Sequence, residues 1–247
     1  KDCSDIDLDG AVVDAEGGVI KSICEDSEFS YVFTLKHSLD MDVKGISVCF
    51  SELPEEFTAS KITPSYGNYT KSDNTLTWTI DQLSKNTPIT FTITGKVLFD
   101  VNKIIKEKSL GVTGTVCKIG ADVKNEPVAT ATVKVYQKPS AATIDMEAEV
   151  EQCNVGTFTV TAQSYAVGTG KWVFVNPTAA EAAGIVIKNA DKLVATVEGV
   201  ETYSSVQVKW SVSNGECATS YSETVTLTNK DCSDIDLDGA VVDAEGG

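Results

Sequence analysis

The sequence predicts an all-β protein in which each 229-residue repeat contains two tandem β-sandwiches. Three observations lead to this fold class. Apolar residues alternate with Thr, Ser or Lys along many short segments, the pattern of half-buried strands. The cysteines are widely spaced, as in disulfide-stabilised extracellular domains. Residues 1–18 recur without change as residues 230–247, which is the signature of a tandem repeat.

The period of two runs through both halves of the chain, with turn residues between the segments. Strands are expected at 29–35, 45–50, 74–80, 88–99, 109–117 and 128–136, and again at 156–162, 170–175, 184–189, 192–199, 204–213 and 223–229. Each half therefore supplies enough strands for one sandwich. The helix-like stretches 101–109 and 177–184 are short and are interpreted as crossovers between sheets.

The domain organisation follows from these strands. We predict one sandwich over residues 1–137, a second over 138–229, and the first strand of the next repeat over 230–247. Residues 137–140 and 228–231 are predicted to be short linkers. A signal peptide or an anchor is expected outside this segment, because none of its stretches approaches 18 consecutive apolar residues.

The charge balance narrows the choice of partners. The chain has 36 acidic and 20 basic residues, and all the basic ones are Lys. Its net charge is −16; the last 18 residues carry −5, so one repeat carries −11. Without the bidentate Arg side chain, and with this acidity, nucleic acid and anionic membranes are poor partners. No membrane span is expected, and the partners are neighbouring repeats or identical subunits.

The acidic segment at the start of the repeat has two interpretations. Asp5, Asp7, Asp9 and Glu16 have the spacing of oxygen ligands in a Ca²⁺ loop, with Gly10 at the turn position. Alternatively the segment is a strand that buries its apolar residues and leaves the acids as a solvated stripe. Calcium is therefore a possible ligand, and no cofactor is required.

The sequence contains few residues from which a catalytic site could be built. His37 is the only histidine and lies at the end of an expected strand, so catalytic triads and metal sites have little to build on. The GTGKW motif at 168–172 lacks the spacing of a phosphate loop and opens a strand. Trp78, Trp172 and Trp210 lie in expected strands, where core packing is the ordinary role. The sequence predicts no enzyme and no catalytic residues.

Two resemblances refine the fold. The Leu53-Pro54 pair, the Ser65–Tyr69 turn, the Trp78–Ile80 strand and the Thr90–Thr94 strand follow one another as in the DUF11-type Ig-like repeats of bacterial surface proteins. The second half resembles the PKD-like Ig-like domains of Bacteroidota adhesins and gliding-motility proteins. That resemblance rests on Cys153 and on the segments 167–172, 195–199 and 209–217. The two resemblances imply stalk modules of long cell-surface proteins exported by a type IX-like route, and no chemistry.

The cysteines are expected to form disulfides in an oxidising compartment. Of the seven, Cys232 is Cys3 of the following repeat, which leaves an even six per repeat and no CxxC pair. The PKD-like resemblance implies a Cys153–Cys217 disulfide. In an Ig-like sandwich Cys49 and Cys117 would lie on adjacent strands, which favours Cys49–Cys117 among the three possible pairings and leaves Cys3–Cys24.

Together these features predict a non-enzymatic structural unit of a long extracellular stalk or filament of the surface-adhesin type. Two other functional classes are also compatible with the sequence. One is a carbohydrate- or protein-binding module of a secreted protein, and the other is an accessory domain of a secreted hydrolase.

Overall fold

The computed structural model describes residues 5–233 and divides them into two compact units. Unit 1 contains residues 5–138 and the short loop 214–218, and unit 2 contains residues 139–213 and 219–233. Each unit is a sandwich of two β-sheets, so the predicted all-β fold class is confirmed. The units divide after Lys138, whereas the sequence placed the boundary after Gln137. The inclusion of loop 214–218 in unit 1 could not be predicted from the sequence.

Unit 1 is formed by the strands of the first half of the chain. They are β1 (Ile6–Asp14), β2 (Ser22–Cys24), β3 (Phe29–His37), β4 (Val43–Phe50), β5 (Phe57–Pro64), β6 (Asn68–Ser72), β7 (Thr75–Leu83), β8 (Ile89–Val97), β9 (Glu107–Ile119), β10 (Asp122–Val123) and β11 (Val128–Tyr136). One sheet has the order β1, β3, β8, β5, and the other has the order β2, β11, β9, β4, β7, β6, with β10 beside β9. This is the strand order of an Ig-like sandwich in which the second sheet has additional strands at both edges, β2 beside β11 and β7 and β6 beyond β4.

The core of unit 1 is rich in aromatic side chains because alternate residues of facing strands point inward. On β3, Phe29, Tyr31 and Phe33 are at most 1% exposed. Phe91 of β8 stacks on Phe50 of β4, with ring centroids 4.8 Å apart. Burial of each such ring stabilises the sandwich by roughly 2–3 kcal/mol. Packing therefore supplies unit 1 with a substantial core of its own.

Unit 2 is formed by the second half of the chain. Its elements are β12 (Glu149–Cys153), β13 (Thr157–Thr161), β14 (Thr169–Phe174), α1 (Pro177–Ala182), β15 (Val186–Lys188), β16 (Val194–Glu198), β17 (Ser204–Ser213), β18 (Ser220–Tyr221) and β19 (Val225–Lys230). One sheet has the order β12, β19, β17, β14, with β18 beside β17, and the other has the order β13, β16, β15. Helix α1 is the connection from β14 to β15, as predicted for the 177–184 stretch.

Two tryptophans fill the centre of unit 2. Trp172 of β14 and Trp210 of β17 are register partners, and their rings lie 5.5 Å apart. A Cβ at Gly170 would lie 2.1 Å from the Trp210 ring. Gly168, at φ +112, forms the turn before β14. The two glycines of the GTGKW motif thus serve backbone geometry and tryptophan packing, and the motif opens a strand as predicted.

The 101–109 stretch does not form a helix. The Asp100 carboxylate accepts a 3.0 Å hydrogen bond from the Asn102 backbone and closes a turn there. The backbone N–H groups of Ile105 and Lys106 then donate to the Gln137 side chain, and β9 begins at Glu107. Because a buried side chain takes these backbone donors, a helix cannot form.

Several short strands escaped the sequence prediction. The strands β2, β5, β6 and β12 lack a full apolar alternation, and every residue of β6 is exposed. They form through pairing with a neighbour: β6 with β7, and β5 with β8 across a register shift. Partner strands therefore decide these elements.

Candidate functional site

The acidic segment that opens the repeat is strand β1. Ile6, Leu8 and Val12 are buried, while the carboxylates of Asp7 and Asp9 each lie 3.8 Å from the Lys36 ammonium on β3. The strand pairs with β3 from Ile6 opposite His37 to Asp14 opposite Phe29. The strand interpretation of this segment is confirmed.

This strand geometry keeps the four candidate calcium ligands apart. Asp5 precedes β1 and Glu16 follows it, and a nine-residue strand spans roughly 26 Å. Asp14 closes the following turn by accepting backbone hydrogen bonds from Glu16 at 3.0 Å and Gly18 at 2.7 Å. Across residues 5–233, no group of three or more His, Cys, Asp or Glu side chains could hold a metal ion. Asp5, Asp7, Asp9 and Glu16 therefore do not converge on one ion, and loose calcium binding along the Asp5, Asp7 and Asp9 stripe stays a prediction.

One disulfide in each sandwich lies near the end of the last strand, beside a short strand that runs parallel to it. In unit 1, β2 runs parallel to β11, and Cys24 lies opposite Tyr136, the final residue of β11. Cys24 is bonded to Cys217 in loop 214–218, with the Cα atoms 4.8 Å apart. A second disulfide joins Cys49 to Cys117 between the adjacent strands β4 and β9, the pairing that the sequence favoured.

Unit 2 repeats this arrangement with a nearer partner. Strand β12 runs parallel to β19, and Cys153 lies opposite Lys230, the final residue of β19. Cys153 is bonded to Cys232, which lies two residues after Lys230 in the sequence, and the Cα atoms of the two cysteines are 5.4 Å apart. In both units the short parallel strand therefore ends in a disulfide. In unit 2 the bond reaches the chain just after the last strand, and in unit 1 it reaches loop 214–218, which lies against the end of the last strand.

These bonds correct two of the expected pairings. Cys153–Cys217 is wrong because Cys217 lies in loop 214–218, where its sulfur is 3.4 Å from the Tyr136 carbonyl oxygen at the end of β11. Cys3–Cys24 is wrong because Cys24 is already bonded to Cys217. Cys3 itself lies outside the described residues.

Loop 214–218 packs closely on the end of β11. The Asn214 side-chain amide donates to the backbone carbonyls of Lys106 at 2.8 Å and Gln137 at 2.7 Å. Gly215, at φ +51, passes so near the Tyr136 ring that a Cβ would lie 2.3 Å from it. The asparagine and the glycine thus place Cys217 against Cys24.

The predicted linkers are largely structured. Gln137 is 7% exposed, and its side chain accepts from the Ile105 and Lys106 backbones and donates to the Lys103 carbonyl. Lys138 forms an ion pair with Asp26 at 3.1 Å. Residues 228–230, predicted to be linker, belong to β19.

The end of β19 has its own polar network. The Asp231 carboxylate accepts hydrogen bonds from the Ser233 hydroxyl, the Ser233 backbone and the Tyr203 hydroxyl, each at 2.6 to 2.8 Å. These bonds hold the pKa of Asp231 well below its usual range. The hydrogen bond from the Ser233 hydroxyl contributes most to this lowering, followed by that from the Tyr203 hydroxyl. Asn229, 2% exposed, accepts from the Val155 backbone and donates to the Val200 carbonyl. The residues just before Cys232 are therefore firmly held.

Residues with catalytic potential have structural roles here. His37 is buried, and its Nε2 donates a 2.7 Å hydrogen bond to the Leu83 carbonyl. Trp78, Trp172 and Trp210 are at most 1% exposed, so none of them offers an open platform for a sugar ring. Within residues 5–233, no helix has the length and apolar character needed to cross a membrane.

A shallow cavity of moderate size lies on each unit. In unit 1 a cavity of about 450 Å³ lies beside the start of β1, lined by Ile6, Leu39, Val43, Ile119 and Ala121 among others. In unit 2 a cavity of about 300 Å³ lies between α1 and the start of β17. Its lining includes the small side chains of Ala179, Ala183 and Ser205.

Comparisons with known proteins give a likeness of fold only. No family model and no curated protein matches the chain. Among solved structures, the chain is similar to a major pilin subunit of Bacillus cereus at 9% identity and a TM-score of 0.40, covering 92% of this chain and 69% of the other. It is also similar to fibronectin(III)-like modules of Clostridium thermocellum CbhA at 12% identity and a TM-score of 0.35, covering 89% and 94%. A cohesin module from a Clostridium perfringens family 33 glycoside hydrolase matches at 15% identity and a TM-score of 0.35, covering 52% and 98%.

Proposed function

We propose that the chain is one repeat of a long extracellular stalk or filament, a non-enzymatic spacer that gives reach and mechanical strength. The observation that carries this proposal is the recurrence of residues 1–18 as residues 230–247. The second copy follows the last strand without a break, because its first residue, Lys230, is also the last residue of β19. A chain extended in this way would string sandwiches in series.

The disulfides support a mechanical role. Cys24–Cys217 closes a loop with a sequence separation of 193 residues, and Cys153–Cys232 closes one of 79. When the chain is pulled from its ends, residues inside a closed loop carry no tension. Most of both sandwiches thus lies off the path of the force, which suits a fibre that must not lengthen under load.

The disulfide bonds support an extracellular location. Disulfides persist in oxidising compartments, and all six cysteines between residues 5 and 233 are bonded. A cell-surface adhesin of Bacteroidota with a DUF11-like and a PKD-like domain is the finer form of the proposal, and it rests on the motifs in the sequence.

Electron microscopy of the native material tests the proposal. Two sandwiches of this size, with radii of gyration near 13 Å, should give an axial repeat of about 70 Å when strung end to end. Periodic fibres with this spacing are the expected result. Isolated particles with no axial repeat would contradict it.

A binding module is the second candidate, and the unit 1 cavity is the observation that favours it. Its lining is mainly apolar, with Asp42, Lys44, Asp122 and Lys124 at the rim, the pattern of many small-ligand sites. A glycan array and a small-molecule thermal-shift screen on the whole chain test this alternative. Saturable binding that Val43→Asp abolishes would favour it over the spacer.

A further inference from the structure

The recurring 18-residue segment is called here the junction segment. The structure describes a different part of each of its two copies. Its first copy is described from Asp5 onward, as strand β1 of unit 1. Its second copy is described from Lys230 to Ser233, at the end of unit 2. Because the two copies have the same sequence, the two views together show what the whole segment does.

The first four residues of the segment complete unit 2. Within Lys230–Ser233, Lys230 pairs with Cys153 at the end of β12 and places its ammonium 2.5 Å from Glu151, and Asp231 lies 2.6 Å from the Tyr203 hydroxyl. Cys232 then bonds to Cys153. All of these partners lie in unit 2, so unit 2 lacks part of its structure without the start of the next repeat.

The rest of the segment completes unit 1. Ile6, Leu8 and Val12 enter the unit 1 core, and the backbone pairs with β3 along its full length. At Gly10 a Cβ would lie 3.1 Å from the Ala131 backbone of β11 in the facing sheet. No side chain larger than hydrogen fits there without movement, so this position is built for close contact.

We propose that the junction segment belongs to two sandwiches at once, and that Cys3 of each repeat is bonded to Cys153 of the preceding copy of the repeat. This inference rests on the tandem repetition proposed above. Within one copy Cys24 is bonded to Cys217 and Cys49 to Cys117. Cys153 is bonded to Cys232, which belongs to the next copy, so Cys3 has no partner left in its own repeat. In the preceding copy, Cys153 has the same surroundings as the Cys153 that is bonded to Cys232 in this structure.

The chemistry of the bond balances in an oxidising compartment. The thiols of Cys3 and of the preceding copy's Cys153 lose two protons and two electrons and form one disulfide. A small-molecule or protein disulfide takes up the electrons by thiol–disulfide exchange and is released as two thiols.

A short joint between repeats follows. Only position 234 separates Ser233, the last residue seen in unit 2, from position 235, the equivalent of Ile6 where β1 starts. Three residues of extended chain span at most about 11 Å from Cys232 to position 235. Consecutive repeats are therefore tied at a fixed, short spacing.

Disulfide mapping of the 247-residue chain is the first test. Trypsin cleaves after Lys, so it places Cys3 on peptide 2–21 and Cys232 on peptide 231–247, which differ in mass despite their shared sequence. After alkylation without reduction, we expect the alkyl group on Cys3 and a linkage between Cys153 and Cys232. A linkage of Cys3 to Cys24, or of Cys3 to Cys153 within a monomer, would overturn the proposal.

The variant Asp231→Asn/Cys232→Ser is the second test. It removes the chain's own sulfur partner of Cys153 and its own carboxylate beside Tyr203, so it leaves both places to Cys3 and Asp2 of another copy. In a glutathione redox buffer we expect reducible oligomers in which peptide 2–21 is linked to peptide 135–171. Adding Cys3→Ser to this variant should keep the chain monomeric. An Asp231→Asn/Cys232→Ser chain that also stays monomeric, with Cys3 and Cys153 both alkylated, would refute the linkage.

A matched variant separates specific seating from random oxidation. In the Asp231→Asn/Cys232→Ser chain, Asp2 of the incoming copy can take the place of the Asp231 carboxylate beside Tyr203, so adding Asp2→Asn to that chain should lower the oligomer yield severalfold. An unchanged yield would count against seating. These results are independent of microscopy: a confirmed linkage without a 70 Å fibre period would leave the junction intact and remove only the stalk function.

Discussion

The two sandwiches place a cysteine beside the end of their last strand in the same way, but the partner of that cysteine comes from different distances along the chain. Each has a short strand that runs parallel to the last strand and ends in a cysteine, Cys24 in unit 1 and Cys153 in unit 2. Unit 2 finds its partner two residues beyond its last strand, at Cys232, whereas unit 1 takes Cys217, which lies 81 residues beyond Tyr136. A common local geometry can thus produce two very different covalent topologies.

The largest expected difference between the units concerns how far the chain can be extended. With all disulfides intact, the shortest covalent path between the termini contains about 53 residues, which extend to roughly 190 Å. In Cys24→Ala/Cys217→Ala the path grows to about 99 residues, roughly 350 Å, because tension then passes through unit 1 and β12. In Cys153→Ala/Cys232→Ala it is unchanged, because Cys24–Cys217 still bypasses that region.

Single-molecule force spectroscopy with handles at both ends measures these contour lengths directly. Full reduction is the control and should release the whole chain, roughly 880 Å. Equal contour lengths for the two double variants would contradict the disulfide topology described here.

The next effect concerns the two cores. Phe91 in unit 1 and Phe158 in unit 2 are both fully buried, so Phe91→Ala and Phe158→Ala should each lower the free energy of unfolding of their own unit by about 3–5 kcal/mol. Trp78 reports on unit 1, and a Trp78→Phe background leaves only Trp172 and Trp210 of unit 2. Denaturant titrations followed by fluorescence would separate the two transitions, and one shared shift for both variants would show that the sandwiches unfold together.

A smaller effect is expected at the buried amides near each last strand. Gln137→Leu would leave the Ile105 and Lys106 N–H groups without their partner, and Asn229→Leu would do the same to the Val155 N–H and the Val200 carbonyl. Each change should lower stability by about 1–3 kcal/mol. The exposed Gln207→Leu is the matched control, expected within about 0.5 kcal/mol. Thermal unfolding measures all three, and an Asn229→Leu value equal to the control would remove the parallel between the units.

The smallest effect is a loss of stability in acid. Hydrogen bonds and charges from Lys96 and Lys138 lower the pKa of Asp26 in unit 1, and the Ser233 and Tyr203 hydroxyls lower that of Asp231 in unit 2. A carboxyl whose pKa is lower in the folded state contributes stability above its unfolded pKa, near 3.9, and loses it as the pH falls through the folded value. Stability should therefore decline slightly below about pH 4.

Salt distinguishes the two carboxyls. Asp26 is held by ion pairs, which added salt screens, whereas Asp231 is held by neutral hydroxyl and backbone donors. Asp231→Asn should remove a salt-independent part of the acid loss, and Asp26→Asn a salt-dependent part. Chemical denaturation between pH 5 and pH 2, with and without added salt, checks both expectations.

The long strands could be predicted from the sequence because apolar residues, which are buried, alternate in them with polar residues, which face solvent. The segment from Phe29 to Leu35 and the segment from Ser204 to Ser213 show this clearly, and both form strands over those residues. Strands β2 and β12 could not be predicted, because they are short and depend on parallel pairing with β11 and β19. The acidic start of the repeat was ambiguous for a related reason: alternating Asp and apolar residues fit both a calcium loop and a strand until the pairing with β3 is known.

The sequence by itself determined that this protein is all-β with two sandwiches and that an 18-residue segment occurs in it twice, since local alternation and sequence identity require no tertiary information. It also showed which residues supply sulfur. Tertiary structure alone decided which sulfurs meet, because a disulfide needs Cα atoms about 4.4–6.8 Å apart, and only folding carries loop 214–218 onto the end of β11 and Cys232 onto the end of β12.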